Sequence, residues 1–94
     1  MASDSAQPGL GRRADPQPGL GAAIRQLRQA REMSQEALGQ RAGIHSTWIS
    51  HLESGRINAT WGNVRKIAYA LDVELAELAA LAERLEAEHA DVPT

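Results

Sequence analysis

The sequence contains no cysteine, which excludes a disulfide framework, a thiolate metal site and thiol redox chemistry. No apolar run approaches the roughly 18 residues of a membrane-spanning helix, and the N-terminus lacks the apolar core of a secretory signal. The two-residue alternation of apolar and polar side chains that indicates a strand is also missing. These absences predict a cytoplasmic, all-α protein, and 94 residues suit one small domain.

The two ends of the chain differ in composition from its middle. Residues 1–19 are rich in Pro, Gly, Ala, Ser and Asp and have almost no large apolar side chains, so we expect a disordered N-terminal arm. The segment QPGLG occurs twice, at residues 7–11 and 17–21. Arg12 and Arg13 of the arm either reach a DNA minor groove or belong to a solvated tail. The folded domain is expected over residues 20–90, with 91–94 as a second disordered tail.

The net charge of −2 conceals a polarised distribution. Cationic side chains occupy the middle of the sequence, at Arg25, Arg28, Arg31, Arg41, Arg56, Arg65 and Lys66. Acidic side chains crowd the last quarter, at Glu74, Glu77, Glu83, Glu86, Glu88 and Asp91. The basic side of such a molecule can attract phosphates, although charged residues also serve simply to solvate helices.

Residues 34–55 form the most informative stretch, which we interpret as two short helices joined by a tight turn. Ser34 is a good N-cap for the first of them. Gly43 can supply the left-handed conformation that ends it. Gly39 is small where the helices must approach closely, and Ile49 fills the angle between them. Two helices that cross steeply over a short turn need these features together.

Three further helices surround this pair. Apolar residues at helical spacing predict them at Leu20–Arg31, Trp61–Leu71 and Val73 to about His89. The pair itself is expected at Gln35–Ala42 and from His45 or Ser46 to about Ser54. The residues of the fourth helix expected to face inward are Trp61, Val64, Ile67, Ala68 and Leu71. The prediction is therefore a compact five-helix domain with an extended C-terminal helix.

The order of these motifs resembles the helix-turn-helix proteins of the Cro/repressor type, also called the xenobiotic-response-element family. The resemblance covers roughly Gly21 to Leu78 and rests on SQEALGQRAGI, WISHLESGRIN and VRKIAYALDV. It departs from the family at Ala59, where Pro is usual, and at Asp72, where Gly is usual. Asp adopts a left-handed conformation less readily than Gly, so some local stability is expected to be lost at Asp72.

The resemblance implies that the third helix lies in the DNA major groove, where each base pair displays a distinct pattern of donors and acceptors. The base-reading positions it implies are Ser46, Thr47, Trp48, Ser50 and His51. Trp48 either packs on the core or meets a thymine methyl, and we favour partial burial. The phosphate-binding positions it implies are Gln35, Arg41, Arg56 and Asn58, together with the N-terminus of the second helix.

Arg28 and Glu53 match a pair that in this family joins the first helix to the third. An arginine can clamp a carboxylate with two parallel hydrogen bonds, so we expect Arg28 to be structural rather than a DNA ligand.

The last helix contains a heptad-like apolar seam. Because so small a core cannot accommodate all of it, we expect part of the seam to be left for a second copy of the chain. The predicted dimer-interface residues are Leu75, Leu78, Leu81, Ala82 and Leu85.

Catalysis has little support in the sequence. His45, His51 and His89 share no metal-ligand spacing with a carboxylate, and no Ser-His pair has a third partner. We therefore expect no enzyme activity, no metal and no cofactor. The favoured function is a homodimeric, sequence-specific DNA-binding transcriptional regulator of a palindromic operator. An antitoxin, a controller of restriction-modification genes, and a protein-interaction module that lacks DNA binding and grips a partner through its last helix remain alternatives.

Overall fold

Five helices follow one another in the computed structural model, which describes residues 17–90 without the side chains of residues 89 and 90. They are α1 (Pro18–Ala30), α2 (Gln35–Ala42), α3 (Ser46–Glu53), α4 (Trp61–Ala70) and α5 (Leu75–Ala90). Within residues 17–90 there is no strand, and no helix there is long and apolar enough to cross a membrane. The predicted five-helix, all-α fold is confirmed. The expectations for residues 1–16 of the N-terminal arm, with Arg12 and Arg13, and for the tail at 91–94 lie outside the described residues.

The first helix begins two residues earlier than predicted, because the second QPGLG copy forms its first turn. Pro18 occupies the start of α1, where its fixed φ suits a helix and its missing N–H costs nothing. Gly21 lies so close to the carbonyl oxygen of Leu52 in α3 that a Cβ would collide with it. Gly19 lies equally close to the carbonyl oxygen of Ala82 in α5. The glycines of this copy thus permit two close helix contacts.

Caps fix three helix ends, two of them, at Ser34 and Gly43, as predicted. The Ser34 hydroxyl accepts a hydrogen bond of 2.9 Å from the Ala37 N–H at the start of α2. Gly43 ends α2 in the left-handed conformation, with φ 74°. The Thr60 hydroxyl accepts a 3.1 Å hydrogen bond from the Asn63 N–H at the start of α4. These local contacts satisfy backbone groups that a helix leaves unpaired at its ends.

The core lies where α1 crosses α3 and runs along α5, with α2 and α4 closing the other side. Its largest fully buried side chains are Ile24, Leu38, Ile49, Leu52, Ile67, Leu71 and Leu78. Burial of such side chains is the main favourable contribution to the stability of a domain of this size. The core therefore holds α3 in place from behind.

The prediction that Trp61 faces the core is wrong. Its side chain is 66% exposed. It shares a helix face with Val64 and Ala68, but it is the first residue of α4, one turn before Val64, which itself is only partly buried. Helical spacing identifies the face on which a residue lies, and it does not reveal whether a neighbouring helix extends far enough to cover that face.

The predicted dimer seam also needs correction. Leu78 is fully buried within a single chain and therefore cannot supply a dimer interface, and only 9% of Leu81 is left exposed. Because α5 packs lengthwise on α1, the side chains at the centre of the seam belong to the core of the single chain. Leu75, Ala82 and Leu85 are partly buried and pack against the same core.

Candidate nucleic-acid interface

The turn between α2 and α3 sets the direction of α3. The Ile44 N–H donates a 2.8 Å hydrogen bond to the Gly39 carbonyl. The Ile44 carbonyl in turn lies against Gly39, where a Cβ would collide with it. His45 then caps α3, since its Nδ1 accepts a 3.0 Å hydrogen bond from the Thr47 N–H. A larger residue at position 39 would therefore move the start of α3.

The side chains of α3 divide between a buried face and an outward face. Ile49 and Leu52 are buried. Thr47 and Ser50 are exposed, and Ser46 and His51 on the same outward side are partly exposed. Small hydroxyl groups and one imidazole thus form a polar surface on a helix that the core immobilises. Such a surface offers donors and acceptors for base edges.

Trp48 is partly buried and packs against the core. The predicted partial burial is confirmed. Part of the residue remains accessible to solvent. Whether that part reads a base stays a prediction.

Three hydrogen bonds and a glycine fix the C-terminal end of α3. The His51 carbonyl accepts from the Ser54 hydroxyl at 2.9 Å and from the Arg56 N–H at 3.1 Å. The Gly55 N–H donates to the Leu52 carbonyl at 3.0 Å, and Gly55 adopts φ 78°. This end structure fixes the backbone of the exposed Arg56 directly after α3.

Arg28 joins three segments of the chain. Its Nε and a terminal nitrogen donate to the two carboxylate oxygens of Glu53 at 2.6 and 3.0 Å, and its other terminal nitrogen donates to the Met33 carbonyl at 2.7 Å. The side chains of Arg28 and Glu53 are only 11% and 4% exposed. The hydrogen bond with Glu53, assisted by the attraction between the charges, raises the pKa of Arg28, and burial opposes that rise. The structure therefore contains the two-pronged clamp that we expected between α1 and α3.

Glu53 has a second partner that the sequence reasoning missed. The Gln35 side-chain nitrogen donates to Glu53 Oε1 at 3.0 Å. Gln35 therefore ties the start of α2 to the end of α3, and only the remaining N–H of its amide is left for a phosphate. Sequence spacing does not predict the Gln35–Glu53 contact, because it joins α2 to α3 through Glu53, which already pairs with Arg28 of α1.

The residues expected to bind phosphate lie on α2 and in the loop that follows α3. Gln35 and Arg56 both adjoin the C-terminal end of α3, through Glu53 and through the His51 carbonyl respectively. Asn58 is partly buried in the loop that follows. Arg41 is exposed in the last turn of α2 and lines a groove with α4. The structure thus joins Gln35 and Arg56 to the end of α3 by hydrogen bonds and places Arg41 at the groove between α2 and α4.

Comparisons with known proteins agree with this geometry. A family model described as a helix-turn-helix domain matches residues 19–81. The control protein C.BamHI of Bacillus amyloliquefaciens is 39% identical over 60 residues, which cover 63% of this chain and 74% of that protein.

Two solved structures are similar as well. The restriction-modification controller protein C.AhdI of Aeromonas hydrophila has 36% identity and a TM-score of 0.64, over 65% of this chain and 92% of that one. The clp gene regulator ClgR of Corynebacterium glutamicum has a TM-score of 0.75 over 79% of each chain, and at 24% identity it supports the fold alone. Since the matched family model covers α1 to most of the seam of α5, including the whole α2–α3 unit, the chain belongs to the helix-turn-helix domain family.

Proposed function

We propose that this helix-turn-helix protein, a DNA-binding transcriptional regulator, acts in the cytoplasm as a homodimer on a palindromic operator. The observation that carries the proposal is the outward polar face of α3, fixed by a cap at its start, hydrogen bonds at its end and the core behind it. A rigid helix of this kind fits the major groove. Two copies related by a two-fold axis would read two half-sites about 34 Å apart.

In this proposal the outward side chains of α3 select the sequence. Ser46, Thr47 and Ser50 offer hydroxyl groups that both donate and accept hydrogen bonds. His51 can donate to the N7 or O6 of guanine. Ile49 and Leu52 contribute by holding that face still, since both are buried.

Backbone contacts would fix the register of the protein on DNA. Arg56 and the N-terminus of α2 adjoin the end of α3, and Asn58 lies in the loop that follows it. We propose that all three bind phosphates, with Gln35 adding its remaining N–H. Arg41 stands apart from this group and is the weakest candidate. None of these roles requires a catalytic group or a cofactor.

Among the possible regulators, we propose a controller of restriction-modification genes. Two relatives with 36% and 39% identity are named as control or controller proteins, one of them explicitly for restriction-modification. The folded part of this chain adds no separate ligand domain to the helix-turn-helix unit within residues 17–90. Such a regulator would respond to its own concentration.

A titration of duplex DNA at several salt concentrations tests DNA binding. Each neutralised phosphate releases counterions, so the affinity should fall with salt at a log–log slope of about −0.9 per phosphate contact. Arg56→Ala should weaken binding to all sequences alike and should flatten the slope by about 1 per protomer. Arg84→Ala is the matched control, because Arg84 is an exposed arginine on α5, far along the chain from α3. Both variants should melt at the wild-type temperature.

The alternative is a protein-interaction module of the same fold. It predicts no binding to any duplex, even below about 50 mM salt, where the electrostatic contribution is strongest. Such a result would reject the regulator and favour a protein partner at the C-terminal helix.

A further inference from the structure

The two large apolar side chains that remain exposed in residues 17–90 both belong to α4. Tyr69 is 82% exposed and Trp61 is 66% exposed. They stand eight residues apart, about 12 Å along the helix, with Arg65 between them. The other large apolar side chains of residues 17–90 are buried or partly buried, so an exposed pair of aromatic rings there indicates an interaction surface.

Tyr69 and Arg65 form a ridge between two grooves, since both residues line each of them. The first groove, of about 420 Å³, lies between α2 and α4. Its other lining residues are Arg41, Ala42, Gly62 and Lys66. Three cations and no acidic residue line this basic groove.

The second groove, of about 410 Å³, lies on the other side of the ridge, towards the start of α5. Asp72, Glu74 and Glu77 line it, together with the partly buried Val73 and Leu75. Within residues 17–90, neither these carboxylates nor the cations of the basic groove make an ion pair or a side-chain hydrogen bond, because the ion pairs there are Arg28–Glu53 and Arg84–Glu88. The ridge therefore separates unpaired charges of opposite sign.

We propose that this surface is where a second copy of the chain binds. A two-fold axis parallel to the ridge places the basic groove of one protomer on the acidic groove of its partner, and the reverse contact forms at the same time. Lys66 then faces the partner's Glu77, and Tyr69 packs at the centre beside Val73 and Leu75. Such a surface complements itself, as an interface between identical subunits must. This inference rests on the proposed homodimer and names the surface that forms it.

The proposed surface also differs from the dimer interface predicted from the apolar seam of α5, whose central residues belong to the core. Leu75 is the one predicted interface residue that lines it, while Leu78 is fully buried and Leu81 is 9% exposed. Aromatic side chains at the centre of an interface with charged residues around them are the usual arrangement at protein–protein contacts. A partner of one charge alone would match only one of the two grooves.

Sedimentation of the full chain at about 100 μM tests the surface. Tyr69→Ala should weaken dimerisation at least about tenfold, as loss of a central aromatic residue commonly does. Its helix content by circular dichroism should not change, because Tyr69 is 82% exposed. Arg84→Ala, outside both grooves, should dimerise like the wild type. A Tyr69→Ala protein that dimerises like the wild type overturns the inference.

A mixing experiment tests the arrangement of the charges. One variant carries Arg65→Glu and Lys66→Glu, which makes both grooves acidic, and the other carries Glu74→Lys and Glu77→Lys, which makes both basic. Each should be monomeric alone, because like charges then face each other, and the mixture should form heterodimers. Two variants that remain monomeric when mixed overturn the inference.

The outcomes separate this inference from the proposed function. If the wild type is a dimer and the groove variants dimerise equally well, the proposed surface is rejected, and the proposed dimeric regulator is not affected. A wild-type monomer at about 100 μM rejects both the surface and the homodimer. DNA binding is measured separately by the salt titration, so its failure does not depend on either result.

Discussion

The carboxylate of Glu86, in the last helix, accepts a 2.7 Å hydrogen bond from the backbone N–H of Gly19, in the first. Gln17, the N-cap residue of α1, makes no side-chain capping bond. Glu86 therefore takes over the capping of α1 from 67 residues away, and its negative charge lies at the positive end of the helix dipole. The contact links the two helices that run along each other through the domain.

Replacing Glu86 tests this distant cap. Glu86→Ala should lower the free energy of unfolding by about 1 kcal/mol, the usual effect of losing a capping acceptor. Glu86→Gln keeps an acceptor without the charge and should lose less. Glu83→Ala, an exposed position on the same helix, is the control and should melt like the wild type. Denaturant unfolding measures all four proteins, and equal stabilities for Glu86→Ala and Glu83→Ala would contradict the role of the cap.

The Arg28–Glu53 clamp is expected to govern stability more than DNA contact. Arg28→Ala leaves the 4% exposed Glu53 carboxylate with Gln35 alone, and removing one partner of a buried pair costs about 3 kcal/mol. The double variant Arg28→Met, Glu53→Met should recover much of this loss, because no buried charge remains. Thermal melts and DNA binding are measured together. Arg28→Ala with an unchanged melting temperature and lost DNA binding would make Arg28 a DNA ligand.

His45 is expected to stabilise the start of α3 through Nδ1. His45→Ala removes the acceptor for the Thr47 N–H and should cost about 1 kcal/mol. His45→Asn is the matched variant, because the Asn side-chain oxygen stands at the same distance from Cα as Nδ1 and is a preferred N-cap acceptor. Its stability should equal or exceed that of the wild type. A melting temperature for His45→Ala equal to that of His45→Asn would show that the cap contributes nothing.

His51 is expected to determine sequence preference rather than stability. Loss of one good base contact typically removes about 1–3 kcal/mol of discrimination. His51→Ala should therefore relax the preference at one position in each half-site, and the two positions should lie about 34 Å apart. The melting temperature and the salt slope should stay close to the wild-type values, because only the His51 backbone carbonyl takes part in fixing the end of α3.

Selection of bound sequences from random duplexes, run in parallel with the wild type, measures this effect. An identical preferred sequence from both proteins would remove His51 from the base-reading set. If substitutions of Ser46 and Thr47 also leave the preferred sequence unchanged, α3 is not the helix that reads the bases.

The sequence by itself determined the helix caps and turns, because these features depend on residues only a few positions apart. Ser34 caps α2 as predicted, and Thr60 caps α4 in the same way, since a capping hydroxyl needs only the N–H three residues later. Gly43 adopts the left-handed conformation that its place in the turn requires. Asp72 does so as well, with φ 59°, in place of the family's usual glycine. The five helices follow from spacing and caps of this kind.

The contacts between distant elements were decided by the tertiary structure. Apolar spacing shows that Leu78 and Trp61 each lie on an apolar helix face, yet one is fully buried and the other is 66% exposed. The difference arises because α1 runs along α5, whereas within residues 17–90 the Trp61 side chain at the start of α4 is left largely uncovered. The Glu86–Gly19 and Gln35–Glu53 hydrogen bonds also depend on how one helix packs on another, because each joins residues of two different helices. Periodicity determines which residues share a face, and only the packing of one helix on another determines what that face meets.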